Sequence, residues 1–208
     1  MQDPDIIQMI FSVAILIFSV VAHEVSHGYM AQYLGDPTAR LAGRLTMNPI
    51  KHLDPIGSFV APLLSSMFFG GMIIGWAKPV PYNPYNLRDQ KWGDAKVALA
   101  GPLTNLGIAL VFAMILRFGG AFLTEPMHMM MHLIIMINIV LTIFNLVPIP
   151  PLDGSKVLMS VLPYRLRYIG DYLERYSLVF ILFFAFFLWK YFLPLVDFLY
   201  ALLVGRLF

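Results

Sequence analysis

Long apolar runs separated by short polar punctuation make up most of the chain, at 6–34, 57–76, 97–116, 129–147 and 178–203. The first begins after Pro4 and stops at Gly35-Asp36-Pro37, a pattern that predicts one uninterrupted helix. At about 1.5 Å per residue, such a helix outlasts the roughly 30 Å hydrocarbon core of a bilayer. The second run is long enough to span but is broken by Pro62, Ser65, Ser66, Gly70, Gly71 and Gly75. Residues 77–87 contain Pro79, Pro81 and Pro84, which predict a short extended element rather than helix. The last run carries Lys190, Pro194 and Asp197, and its pattern fits either one kinked helix or two short ones. No repeat, low-complexity linker or soluble appendage interrupts the series. The expected architecture is an all-α integral membrane protein, a polytopic helical bundle forming a single membrane-embedded domain over residues 1–208.

Composition sharpens this. Hydrophobic residues make up 59% of the 208 positions and charged ones only 12%, with a mean hydropathy of +0.75, so the lipid bilayer is the expected surrounding. A net charge of +2, scattered between apolar runs, argues against a nucleic-acid partner. Cysteine is absent, so any metal must be held by His, Asp or Glu. The acidic N-terminus predicts no cleavable signal peptide, and the first apolar run is expected to stay in the mature protein.

Charge counting orients the runs. Lys and Arg number three over 35–56, four over 77–96, one over 117–126 and four over 153–176. The positive-inside rule puts the three basic segments together in the cytoplasm. A full crossing at 57–76 would contradict that count, so this stretch is expected to enter and leave on the same side, as a re-entrant or hairpin segment. The helix at 129–147 then runs inward, and its end arrives where the first helix ends.

Candidate chemistry sits at that end. His23-Glu24-x-x-His27 places two imidazoles four residues apart on one helical face, where both can hold the same zinc ion, with Glu24 beside them as a general base for water. Polar residues at this depth of an apolar helix face a protein interior or a water-filled cavity. The second stretch runs from Asn145 to Asp153-Gly154, with Pro148, Pro150 and Pro151 ending the helix between them. Asp153, on irregular backbone near the membrane boundary, suits a third zinc ligand that would leave one tetrahedral position open. The lesser alternative is that it caps the helix that begins near Ser155. Asn145 offers an amide either to an oxyanion or to a carbonyl freed by the break.

Taken in this order, the His23–His27 motif, Gly101-Pro102-x-x-Asn105 and the segment from Asn145 to Gly154 resemble the site-2 protease family of intramembrane zinc metalloproteases, over roughly residues 6–175. The resemblance implies three transmembrane helices around one Zn2+ per chain. It implies His23, His27 and Asp153 as ligands, Glu24 as base, and Asn145 as a substrate or oxyanion contact. It also implies that Lys78, Pro79, Val80 and Pro81 hold an extended substrate. The chain lacks the PDZ and CBS domains of better-known members, so it resembles the minimal prokaryotic form with an apolar insertion at 57–76. Regulation is then left to a partner in trans. The expected substrate is a transmembrane protein or peptide, and the expected location is the cytoplasmic membrane of a prokaryote, with the site toward the cytoplasm. The alternative is a non-proteolytic membrane zinc-binding protein, a transporter or scaffold using the same ligands. His128 and His132 also have i, i+4 spacing but lack a neighbouring Glu, which favours an interfacial pair over an accessory metal site. His52 is expected to be a surface or hydrogen-bonded loop residue. Lys156, Arg165 and Arg167 are expected at the lipid headgroups.

Overall fold

The computed structural model describes residues 6–60, 75–166 and 168–205. Eight α-helices run through them: α1 Ile6–Tyr33, α2 Thr38–Leu41, α3 Gly93–Gly119, α4 Glu125–Asn145, α5 Asp153–Val161, α6 Tyr168–Arg175, α7 Ser177–Phe183 and α8 Leu193–Val204. Among the described residues there is no strand. Three helices, over Gln8–Tyr33, Gly93–Phe122 and Glu125–Asn145, are long and apolar enough to cross a membrane. A fourth crossing exists if Tyr168–Arg175 and Ser177–Tyr191, bent by 73°, form one span. Between 178 and 203 the chain is not one helix: irregular turns over Phe184–Tyr191 separate α7 from α8, and Pro194 sits in the first turn of α8. Proline is tolerated in that position because no intrahelical N–H is lost.

Helix α3 is the centre, packed against α1, α4, α5 and α8. Its buried face carries Ala98, Gly101, Asn105, Ala109 and Ala113, small residues at helical spacing that let neighbouring backbones approach closely. Ser19 and His23 of α1 meet Asn105, while His27 meets Val97. The two helices therefore run antiparallel. Thr142 meets the Pro102 carbonyl and Asn138 meets Asn105, so α4 is antiparallel to α3 and parallel to α1. On the far half of the bundle, Ala109, Ala113 and Leu116 pack with Ile135, Ile139, Ile143 and Val196.

Three loops gather at the end reached by α1 and α4. Leu34 O accepts from Arg88 N at 2.8 Å, and the side chain of Asp36 holds residue 83 and residue 86 at once. Residues 77–83 form neither helix nor strand, and the extended element expected over 77–87 gives way to a 3-10 turn at Pro84–Asn86, where Asn83 accepts from the backbone N–H of Tyr85. The stretch is held by loops: Lys78 N donates to His52 O, and Arg44 donates to Lys78 O. Of the segment expected to enter and leave on one side, residues 61–74 lie outside the described residues. Its two ends meet, since Trp76 N donates to Gly57 O at 3.0 Å.

Asp36 is the hub of this end. Fully buried, it accepts from Thr38 N, Thr38 Oγ1, Asn83 N and Asn86 Nδ2 at 2.5 to 3.2 Å. Burial alone would raise its carboxyl, but the bonds from Thr38, Asn86 and Asn83 outweigh it and hold the group below its ordinary value. A depressed carboxyl contributes stability above the unfolded value near ~3.9, and that contribution is lost as pH falls through the folded one. Asp36→Asn turns an acceptor into a donor facing donors and should cost about 1–3 kcal/mol. Thermal unfolding in detergent should show a lower midpoint at neutral pH and a shallower decline on acidification than in the parent chain.

Candidate metal centre

Helix α1 presents His23 and His27 on one face, with ring centroids 4.7 Å apart and planes nearly perpendicular. The prolines after α4 stop that helix and turn the chain back, so that Gly154 lies against the last turn of α4. A Cβ on Gly154 would come within 2.2 Å of Leu146 O, so only glycine permits this approach. The turn delivers Asp153, first residue of α5, into the bundle. Its Oδ2 lies 3.0 Å from His23 Nε2 and 3.2 Å from His27 Nε2. All three side chains are buried, and among the described residues they form the one group of three potential metal ligands, with donor atoms within 4.8 Å of one another.

The donor set can be tested against a metal. Zinc bonds near 2.0–2.1 Å at tetrahedral angles put neighbouring ligand atoms roughly 3.3 Å apart, close to the two separations found here. Both imidazoles are anchored through the other nitrogen: His23 Nδ1 donates to Asn105 Oδ1 at 2.6 Å, and His27 Nδ1 donates to Val97 O at 2.7 Å. Each Nε2 is thereby turned to the common centre, the usual arrangement of metal-binding histidines. Opposite them, Gly101 keeps space clear, because a Cβ there would lie 2.5 Å from both Nε2 atoms. The residues fit a zinc ion.

Glu24, half-buried, accepts from Val80 N at 2.9 Å through Oε2. Val80 is buried, its side chain close against Gly28, while Lys78, Pro79 and Pro81 are exposed. The segment suspected of holding substrate is thus tied to the carboxylate suspected of being the base. Tyr82 continues it, packed on Ala31, Leu34, Leu87 and Val97 with Lys156 Nζ 5.2 Å from its ring centroid. Its phenol is pushed above the ordinary range by burial and by the charges of Asp94 and Asp153.

The other candidates have contacts of their own. Asn145 Nδ2 donates to Leu141 O at 2.9 Å, one turn back in its own helix. His52 is buried rather than exposed, with Nε2 against Thr46 O at 2.9 Å. His128 and His132 lie at the opposite end of the bundle, beside an open cavity of about 330 Å³ that Arg117 also lines. His128 Nε2 contacts Gly120 O, and His132 Nδ1 contacts the Tyr200 hydroxyl. Sequence reasoning noted Asn105 only as part of a motif and missed Val97, Asn138 and Ser19. Asn138 and Ser19 could have been found as polar residues inside apolar runs. A backbone carbonyl such as that of Val97 leaves no sequence signal.

A polytopic helical bundle with a buried two-histidine, one-carboxylate cluster beside a glutamate has the make-up of a membrane metalloprotease. The profile of Peptidase family M50 matches residues 117–188. The chain is 36% identical over 186 residues to the candidate zinc metalloprotease YwhC of Bacillus subtilis (strain 168), covering 82% of this chain and 78% of that one. It is 32% identical over 152 residues to the candidate zinc metalloprotease MJ0611 of Methanocaldococcus jannaschii, covering 71% of this chain and 72% of the relative. Similarity to the candidate zinc metalloprotease Rip2 of Mycobacterium tuberculosis (strain H37Rv) is 27% over 169 residues, 79% of this chain and 62% of that protein. No solved structure matches. The chain belongs to peptidase family M50, the site-2 protease family of zinc metalloproteases. Membership favours an enzyme over a transporter or scaffold.

Proposed function

We propose that this protein is an intramembrane zinc endopeptidase that hydrolyses a peptide bond within or near a transmembrane segment of another membrane protein. Release of a regulatory fragment and clearance of signal-peptide remnants are the two biological settings this chemistry suits. The observation that carries the reading is the convergence of His23, His27 and Asp153, 130 residues apart in sequence at its widest, on one buried point. In this reading His23, His27 and Asp153 hold the zinc ion, which when bound supplies a Lewis acid for the scissile carbonyl and makes water nucleophilic near neutral pH. Glu24 takes the proton from water and returns it to the leaving amine. The hydrogen bond from Val80 N fixes one carboxylate oxygen and leaves the other to face water. Asn145 spends one amide hydrogen on Leu141 O, and its second is the donor assigned to the oxyanion.

Lys78, Pro79, Val80 and Pro81 hold the substrate extended, which a helical segment needs before its peptide bonds are open to attack. Pro79 and Pro81 have no N–H, and the N–H groups of Lys78 and Val80 are already used. Pairing with substrate therefore runs through carbonyls of the segment, with the substrate donating. The site faces the cytoplasm of a prokaryotic cell, a reading supported by the basic loops 35–56 and 77–96 and by Lys156, which lie at the metal end. A regulatory partner in trans supplies control.

The test is zinc content and cleavage of a transmembrane peptide by the purified chain in lipid vesicles, for the parent, Asp153→Ala and His128→Ala/His132→Ala. One zinc per chain and cleavage are expected in the parent and the double variant, and both should be lost with Asp153→Ala. Zinc that persists without Asp153 and disappears with His128 and His132 would remove the basis of the reading.

A further inference from the structure

His23 does not end its hydrogen bonding at Asn105. Asn105 Nδ2 donates to Asn138 Oδ1 at 2.9 Å and, at a long 3.4 Å, to Ser19 O. Asn138 Nδ2 in turn donates to Ser19 Oγ at 3.0 Å and to Ile134 O at 2.9 Å. Ser19, Asn105 and Asn138 are all buried, the two asparagines completely. The chain of bonds joins α1, α3 and α4 in the middle of the apolar bundle.

Its direction matters, because an amide can face either way and an imidazole can carry its proton on either nitrogen. Two members of the network have no such freedom: the carbonyls of Ile134 and Ser19 only accept. Turning Asn138 over would set its oxygen against Ile134 O, and turning Asn105 over would set its oxygen against Ser19 O. With Asn138 held by Ile134 O, its Oδ1 faces Asn105 and takes the Asn105 amino group. Asn105 Oδ1 is left for His23 and accepts only from a protonated Nδ1. The lone pair for a metal is then on Nε2, the nitrogen 3.0 Å from Asp153.

We propose that Asn138 is a positioning residue for the metal centre: it reads the carbonyl of Ile134 and transmits, through Asn105, the orientation that keeps the His23 proton on Nδ1 and leaves Nε2 available to zinc. This rests on the reading of His23 as a zinc ligand. Without an acceptor at position 138 the Asn105 amide keeps only its long 3.4 Å contact to Ser19 O, too weak to stop it from turning to donate to Nδ1. The His23 proton then moves to Nε2 and blocks the metal. Ser19 is peripheral in this scheme, since Ile134 O orients Asn138 without it.

The experiment measures zinc affinity by competition with a chromophoric chelator, and the visible spectrum of the Co2+-loaded chain, for Asn138→Leu, Asn138→Asp, Ser19→Ala and Asp153→Ala. Unfolding midpoints are recorded in the same detergent. Asn138→Leu is expected to weaken zinc binding about 10- to 100-fold, the range typical of groups that orient metal-bound histidines, and to alter the Co2+ spectrum. Asn138→Asp keeps an acceptor toward Asn105 and should restore affinity to within about threefold of the parent, as should Ser19→Ala. Parent-like zinc affinity in Asn138→Leu, or an Asn138→Asp variant as weak as it, overturns the proposal. If Asn138→Leu does not fold, Asn138→Asp decides by the same criterion. Asp153→Ala separates the two layers: parent-like zinc binding there overturns the metal-site reading itself, whereas its loss beside an unaffected Asn138→Leu overturns only the role of Asn138.

Discussion

Gly101→Ala is expected to give a folded chain that no longer retains zinc. The new methyl would sit 2.5 Å from Nε2 of both His23 and His27 and 2.6 Å from His23 Cε1, separations that non-bonded atoms do not adopt. Flexible neighbours could move aside, but these cannot do so freely. His23 is tethered to Asn105 and His27 to the Val97 carbonyl, and both tethers belong to α3, the helix that carries position 101. Methyl and anchors are fixed to one rigid rod, so the imidazoles must break a buried hydrogen bond to make room. Zinc affinity should fall by at least ~100-fold, the upper end of what outer-sphere changes cost, because here the donor atoms themselves are displaced. Helix propensity works in the other direction, since Ala in place of an interior Gly stabilises a helix by about 1 kcal/mol. Loss of zinc with an unfolding midpoint within a few degrees of the parent is the combined expectation, checked by metal analysis after dialysis against a weak chelator. Full zinc retention would mean that the ion binds elsewhere than between these rings.

The same geometry shows which parts of the molecule were legible beforehand. His23 and His27 could be paired from sequence because helical periodicity puts i and i+4 on one face whatever the rest of the chain does. The three spanning helices were legible for a similar reason, since an apolar run of that length has few other stable states in water or lipid. Asp153 was reachable through the proline break and the family resemblance, but its contact with α1 is tertiary and no local rule supplies it. Val97 shows the limit most clearly, because its role is played by a backbone carbonyl and any residue type would serve. His52 was expected at a surface or in a hydrogen bond; it is hydrogen-bonded but buried, because the loops 35–56 and 77–83 pack on each other. Loop-to-loop packing has no period to read. The end of the chain divided as the Lys190 and Pro194 interruptions allowed, although the sequence left one helix or two open.

Glu24→Gln is the second large effect, and it is expected to separate chemistry from assembly. Glutamine has the shape of glutamate and retains a carbonyl oxygen that can accept from Val80 N, so the 77–83 segment should stay where it is. What it loses is the capacity to take a proton from water. Turnover of a transmembrane peptide should therefore fall by about 10²- to 10⁴-fold, the usual contribution of a general base. Zinc stoichiometry should remain that of the parent. Glu24→Ala removes the proposed base and the anchor together, so the comparison of the two variants isolates the anchor. Binding of a non-cleaved peptide, followed by fluorescence anisotropy in vesicles, should match the parent in Glu24→Gln and weaken in Glu24→Ala, because Val80 then has no fixed partner. Val80→Pro should weaken peptide binding in the same way from the other side, by deleting the N–H while leaving the carboxylate in place. Equal binding in all four chains would separate the 77–83 segment from substrate recognition. Parent-like turnover in Glu24→Gln would remove Glu24 from the chemistry and move the search for a base to the next carboxylates near the metal.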